Sequence, residues 1–121
     1  MPSKANNDSK YYCFGSAIVK KGANDFDLLI IYNEEKCDPA NAYLSHNDVI
    51  SEIRDLTNLP IHTTMLTEAE ANNSDIFSRT SAIDLATGLK LYCKLNRGIL
   101  SANQNSRKCY CKILKKIQNS E

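Results

Sequence analysis

Two carboxylates two residues apart, Asp25 and Asp27, open an apolar run, Leu28-Leu29-Ile30-Ile31-Tyr32. In an extended strand, residues i and i+2 point to the same side, so both carboxylates share one face and Phe26 points away. A short distance upstream, Gly15 and Ser16 follow the apolar and aromatic run Tyr11-Tyr12-Cys13-Phe14. Where a strand turns into a helix, unpaired backbone N–H groups point outward and suit phosphate oxygens, and glycine lets a phosphate approach closely. Hard carboxylate oxygens beside such a cradle describe a Mg²⁺ site completed by substrate phosphates. A cation there would orient a triphosphate and neutralise charge as a phosphoryl bond breaks. Asp25 and Asp27 read otherwise as a polar turn before a buried strand.

The elements that must position these groups follow from patterning. Residues 11–14 read as a strand, and Ser16 to Lys21 as one or two helical turns broken by Gly22-Ala23-Asn24. Asp27 to Tyr32 reads as a central strand buried on both faces. Asn33 to Ala42 reads as a polar loop containing Pro39. A helix follows, with Ser45 and Asp48 as a capping-box-like start, Val49, Ile50, Ile53 and Leu56 on one face, and Pro60 as its end. Ile61 to Leu66 is a third strand. Thr67-Glu68-Ala69-Glu70 is a capping box opening a weaker helix through about Arg79. Ala82 to Leu85 and Leu89 to Leu95 fit helix or strand equally. Near the end, Tyr110, Ile113, Leu114 and Ile117 share one helical face, with Lys108, Lys112, Lys115 and Lys116 on the other. This order predicts an α/β (α+β) fold, a small mixed sheet packed by helices. Residues 1–10 are expected as a flexible arm and 11–121 as a single domain with a basic C-terminal helix.

The hydrophobic-Gly-Ser turn, the Asp-x-Asp and the apolar strand after it resemble the signature of the DNA polymerase beta-like nucleotidyltransferase superfamily, in its minimal single-domain bacterial form. The resemblance covers about residues 11–70. It implies an enzyme of nucleotidyltransferase fold that moves a nucleoside monophosphate from an NTP or dNTP to a hydroxyl, releasing pyrophosphate. Carried over by position, Gly15 and Ser16 hold the β- and γ-phosphates, and Asp25 and Asp27 bind the catalytic Mg²⁺ or Mn²⁺. The family commonly places a third carboxylate on the next strand. The matching position here is His62, where a neutral imidazole acts as a general base or ligates Mn²⁺ better than Mg²⁺. His62 reads otherwise as a structural histidine in a degraded site. Glu68 and Glu70 are poor substitutes, since the capping box and the first helical turn account for both.

Net charge is +1, but it is unevenly distributed. Residues 90–121 hold Lys90, Lys94, Arg97, Arg107, Lys108, Lys112, Lys115 and Lys116 against Glu121 alone, so the remaining 7 basic and 13 acidic side chains fall in residues 1–89. The basic end reads either as a polyanion-facing surface or as a solvated helix. Acceptors compatible with it are a nucleic-acid or oligonucleotide 3′ end, with Tyr92 or Tyr110 stacking on a base, or a protein hydroxyl. The resemblance further implies a toxin–antitoxin or phage-defence setting with a cognate effector or toxin protein. The alternative is a non-catalytic module of the same fold that binds and neutralises a partner. His46 is expected at the surface, and Ser16 has no partners marking it as a nucleophile.

The 121 residues suit one modest core, which a homodimer would supplement. No apolar run approaches the roughly 20 residues of a membrane helix, and the polar N-terminus has no signal-peptide stretch. The cytoplasm is therefore the expected location. Five cysteines, an odd and irregularly spaced set, are expected as buried or idle thiols.

Overall fold

The computed structural model describes residues 9–33, 39–96 and 111–115, with residues 39–45 described as helical backbone. Strand β1, Lys10–Phe14, leads into a single 3₁₀ turn, Ser16–Ile18. Strand β2, Phe26–Tyr32, is followed by helix α1, Pro39–Thr57, and strand β3, Ile61–Thr67. Helices α2, Glu68–Asn72, and α3, Ile76–Thr80, precede the short strand β4, Ile83–Asp84, and helix α4, Leu85–Leu95. Residues 111–115 are helical. The sheet order is β3-β2-β1-β4, with β2 and β3 parallel and the other neighbours antiparallel. This is the mixed, helix-packed sheet of an α+β fold, as the pattern of elements predicts.

Strand β2 is central because its sequence is apolar on both faces. Phe26, Leu28 and Ile30 enter the larger core with Tyr11 and Cys13 of β1, Val49, Ile50, Ile53 and Leu56 of α1, and Leu85, Leu89 and Tyr92 of α4. Leu29 and Ile31 face the other way and meet Ala71 and Ile76 from α2 and α3. Each fully buried aliphatic side chain of this kind contributes about 1.5–3 kcal/mol. Helix α4 comes very close to β1 at Gly88, where a Cβ would collide with Cys13 Sγ. The second core is thinner, so that face of the sheet is the more open one.

Several local expectations need correction. Helix α1 starts at Pro39, inside the segment read as a polar loop, and Ser45 and Asp48 therefore lie within the helix rather than capping it. A proline is well tolerated in a first turn, whose amides have no intrahelical partner. The helix opened by Thr67 ends at Asn72, and α3 starts afresh at Ile76 after a break at Asn73-Ser74-Asp75. The two ambiguous stretches resolve into β4 and α4.

His46, expected at the surface, is 1% exposed. It sits one helical turn before Ile50 and two before Ile53, so it continues their buried stripe. Its Nε2 lies 2.7 Å from Ser9 Oγ, and its ring packs edge-on against Tyr11. Ser9 is buried, and β1 begins at Lys10, within the segment expected as an arm. Tyr92 is also buried, with its hydroxyl donating to the Thr57 carbonyl, and is not available to stack on a base. Tyr110, Lys108 and Lys116 lie outside the described residues, as do Cys37 and Cys109. Among the described residues, Cys13, Cys93 and Cys111 are free thiols, and no helix is long and apolar enough to cross a membrane.

Candidate metal site

The site forms where β1 ends and β2 and β3 begin. Asp25 immediately precedes β2, and Asp27 is its second residue. Between them Phe26 is fully buried in the core on the α1 and α4 side. Strand alternation therefore sends both carboxylates to the opposite, more open face. The period-two reading of Asp-x-Asp carries through to the folded chain.

Residue 62 arrives by way of α1 and the turn that ends it. The Asn58 N–H donates to the Arg54 carbonyl, and Asn58 takes a left-handed conformation with φ 58°. The Leu59 N–H donates to Thr57 Oγ1, and the Phe26 N–H donates to the Pro60 carbonyl at 3.0 Å. That last bond begins the parallel ladder, which places Phe26 beside Ile61 and Asp27 beside His62. Paired residues in adjacent strands share a face, so the imidazole joins the two carboxylates.

His62 Nδ1 lies 3.8 Å from Asp25 Oδ2 and 3.8 Å from Asp27 Oδ1. One donor atom from each of the three residues falls within 4.8 Å of the others. The side chains of His62, Asp25 and Asp27 are 63%, 36% and 25% exposed, so the cluster opens to solvent through His62. Burial raises the Asp27 carboxyl above its usual range, the neighbouring Asp25 charge raises it further, and His62 opposes both. A divalent cation among the three would offset that repulsion. Two carboxylate oxygens and one imidazole nitrogen suit such an ion.

Gly15 performs a task that its place in the motif did not reveal. It stands just after Phe14, which pairs with Asp27 across the antiparallel ladder. A Cβ on Gly15 would collide with Asp27 Oδ2 and lie 3.2 Å from its Cγ. Gly15 also has φ 88° and ψ −166°, a region essentially reserved for glycine. The carboxylate occupies the space that a side chain at residue 15 would fill. The pairing of a glycine with the second aspartate of a downstream strand is the sequence signal for this, but only the β1–β2 register turns it into a contact.

Ser16 is half-buried at the start of the 3₁₀ turn, and its carbonyl accepts from the N–H groups of Val19 and Lys20. Ala17 and Ile18, both buried, anchor this turn in the core it shares with α4. The turn is thus held beside Asp27 from two sides.

Glu70 is engaged elsewhere: its Oε1 accepts from the Thr67 N–H while Thr67 Oγ1 accepts from the Glu70 N–H, completing the expected capping box. Glu68 lines a cavity of about 280 Å³ with Lys10, Tyr12, Ile31, Asn72 and Phe77, at the far end of β2 from the carboxylates. Lys112 and Lys115 are exposed, as the basic face predicts. Lys112 Nζ lies 4.0 Å from Oε2 of the half-buried Glu52, at the outer limit of an ion pair.

No family model, curated protein or solved structure matches the chain.

Proposed function

We propose that this chain is a metal-dependent nucleotidyltransferase that moves a nucleoside monophosphate from an NTP or dNTP to a hydroxyl acceptor. The observation that carries the reading is the convergence of Asp25, Asp27 and His62 directly beside the Gly15-Ser16 turn. Asp25 and Asp27 would hold Mg²⁺ or Mn²⁺, which when bound supplies charge neutralisation on the reacting phosphates. The Gly15-Ser16 backbone would take β- and γ-phosphate oxygens, orienting the chain of phosphates past Asp27. The acceptor oxygen then attacks the α-phosphorus, its proton passes to a base, and the bond to the β-phosphate breaks with pyrophosphate leaving. His62 faces the carboxylates closely enough either to take that proton or to share the cation. The excess of basic side chains in residues 90–121 supports a polyanionic acceptor, such as an oligonucleotide end, over a neutral one.

A second reading, a partner-binding module without activity, draws on the imidazole that stands where the resemblance leads one to expect a third carboxylate. One experiment separates the two. Purified protein is incubated with each α-labelled NTP and dNTP, with Mg²⁺ or Mn²⁺, beside the Asp25→Asn/Asp27→Asn double variant. Label transferred by wild type alone supports the transferase, and its position on a denaturing gel identifies the acceptor. Equal labelling by both proteins sinks it. If neither is labelled, even with an added oligonucleotide, the binding-module reading takes precedence.

A further inference from the structure

Strand pairing and helix spacing assemble a second site away from the carboxylates. Lys10 pairs with Ile31 across the β1–β2 ladder, and Tyr12 lies on the same face as Lys10 by strand alternation. Glu68, Ala71 and Asn72 share one side of α2, at the i, i+3 and i+4 spacing of a helix. Together with Phe77 of α3 they border a cavity of about 280 Å³. Ile31 and Ala71 are buried and give it an apolar floor. Tyr12 and Phe77 give it aromatic walls, with ring centroids 4.8 Å apart and planes at 77°. Phe77 is 38% exposed, so its ring is still partly open to solvent. Three polar groups of different kinds complete the lining: an ammonium that only donates, a carboxylate that only accepts and an amide that does both. Among the described residues, the side chains of Lys10, Glu68 and Asn72 have no hydrogen-bond or ion-pair partner.

We propose that this cavity binds a guanine base. Its volume falls at the small end of ligand pockets, roughly 300–1,000 Å³, which suits one ring system and not a dinucleotide. Unpaired bases stack on aromatic side chains and are told apart by hydrogen bonds to their edges. Of the four common bases, guanine alone presents two adjacent N–H donors beside a carbonyl oxygen. The two oxygens of Glu68 accept from both donors, and the Lys10 ammonium donates to the carbonyl. Adenine, cytosine and uracil each set an acceptor atom next to a lone donor group, against a carboxylate that cannot donate. Ile31 lies on the same strand as Asp27 and about 13 Å beyond it. No residue of the cavity belongs to the cation site, so the proposal stands apart from the transferase reading.

The test is binding of guanosine, inosine, adenosine, cytidine and uridine to the full chain by equilibrium dialysis, with chelator present to keep the cation site out of play. Guanosine is expected to bind about tenfold or more tighter than the others, the scale of one well-placed pair of hydrogen bonds. Inosine, which lacks the exocyclic amino group, reads the contact to Glu68 directly. Glu68→Gln should remove the preference for guanosine over inosine, and Phe77→Ala should weaken every nucleoside by about tenfold. Glu68 is exposed, so Glu68→Gln is expected to fold, and circular dichroism checks both variants. Asp25→Asn/Asp27→Asn should bind guanosine as wild type does. No saturable guanosine binding at millimolar concentration, equal affinity for guanosine and inosine, or an unchanged preference in Glu68→Gln overturns the inference. Loss of binding in the folded aspartate double variant also overturns it, by placing the base at the carboxylates. A short single strand with one guanine, compared with GMP, identifies the source. Tighter binding of the strand supports a site for a nucleic-acid base, and tighter binding of GMP supports a site for a free nucleotide.

Discussion

The Asp27 carboxylate occupies the volume in which residue 15 would carry a Cβ, and Gly15 sits in a backbone region that other residues avoid. The turn before the 3₁₀ segment and the second aspartate of β2 are therefore one steric unit. A side chain at residue 15 must either push the carboxylate aside or move the turn.

Gly15→Ala should accordingly do two things at once. The backbone strain costs about 1–3 kcal/mol, which lowers the melting temperature. The displaced carboxylate also weakens Mn²⁺ binding beyond what the stability loss explains. Thermal melts alongside cation titration below the melting transition separate the effects. Wild-type cation affinity in a destabilised Gly15→Ala would show that Asp27 does not depend on the glycine.

Removing one carboxylate from the cluster should be far more costly to function than to folding. Asp25→Asn and Asp27→Asn each are expected to reduce labelled-nucleotide transfer by about 10²-fold or more, since even outer-sphere partners of a metal cost about 10–100-fold. Both keep the side-chain shape, so their circular dichroism should match wild type. A loss of less than about threefold in either would remove that residue from the site.

The raised Asp27 carboxyl has a definite sign in stability. An acid whose folded-state pKa lies above its unfolded value binds protons more readily in the folded state. The resulting stabilisation is fully present below the ordinary value of 3.8 and is lost as pH rises through the raised one. Metal-free Asp27→Asn, which has no charge to bury, should therefore be more stable than metal-free wild type at pH 7. The difference should close below about pH 3.8. Added Mn²⁺ should reverse the order at neutral pH, because only wild type gains a ligand-bound state. Melting curves across this range, with and without cation, test all three statements.

Cys13 and Gly88 give a test of the core that leaves the site alone. Burial, and then the nearby Asp84 charge, push the Cys13 thiol up to about 12, so it remains protonated and shielded. Alkylation of native protein at pH 8 should mark the exposed Cys111 and spare Cys13, as mass spectrometry of peptides would show. Gly88→Ala forces a methyl onto Cys13 Sγ and should destabilise the chain by about 1–3 kcal/mol. If the cost is below about 0.5 kcal/mol, α4 and β1 are not packed as closely as described.

Much of the local architecture was legible because it depends on short-range physics. The apolar run of β2 has few alternatives to a buried strand, and Thr67 and Glu70 form their capping box with each other. The misreadings share a different cause. Pro39 looked like a loop residue because proline usually interrupts helices, although it sits comfortably at a helix start. His46 is expected at the surface as a polar residue near a helix start, yet Ser9 and Tyr11 give it a buried place. Tyr92 looked free to stack, and tertiary packing closed it in.

The candidate site divides in the same way. That Asp25 and Asp27 share a face follows from the alternation of a strand alone, and needs no knowledge of its neighbours. That His62 joins them depends on β3 lying parallel to β2 in the one register that pairs His62 with Asp27. A one-residue slip would send the imidazole to the opposite face. The intervening α1 and the bond from the Phe26 N–H to the Pro60 carbonyl set that register, and both belong to the folded chain. The same holds for Gly15, whose steric tie to Asp27 exists only once β1 has paired with β2. Short-range patterns name the donors, and long-range strand pairing decides which of them meet.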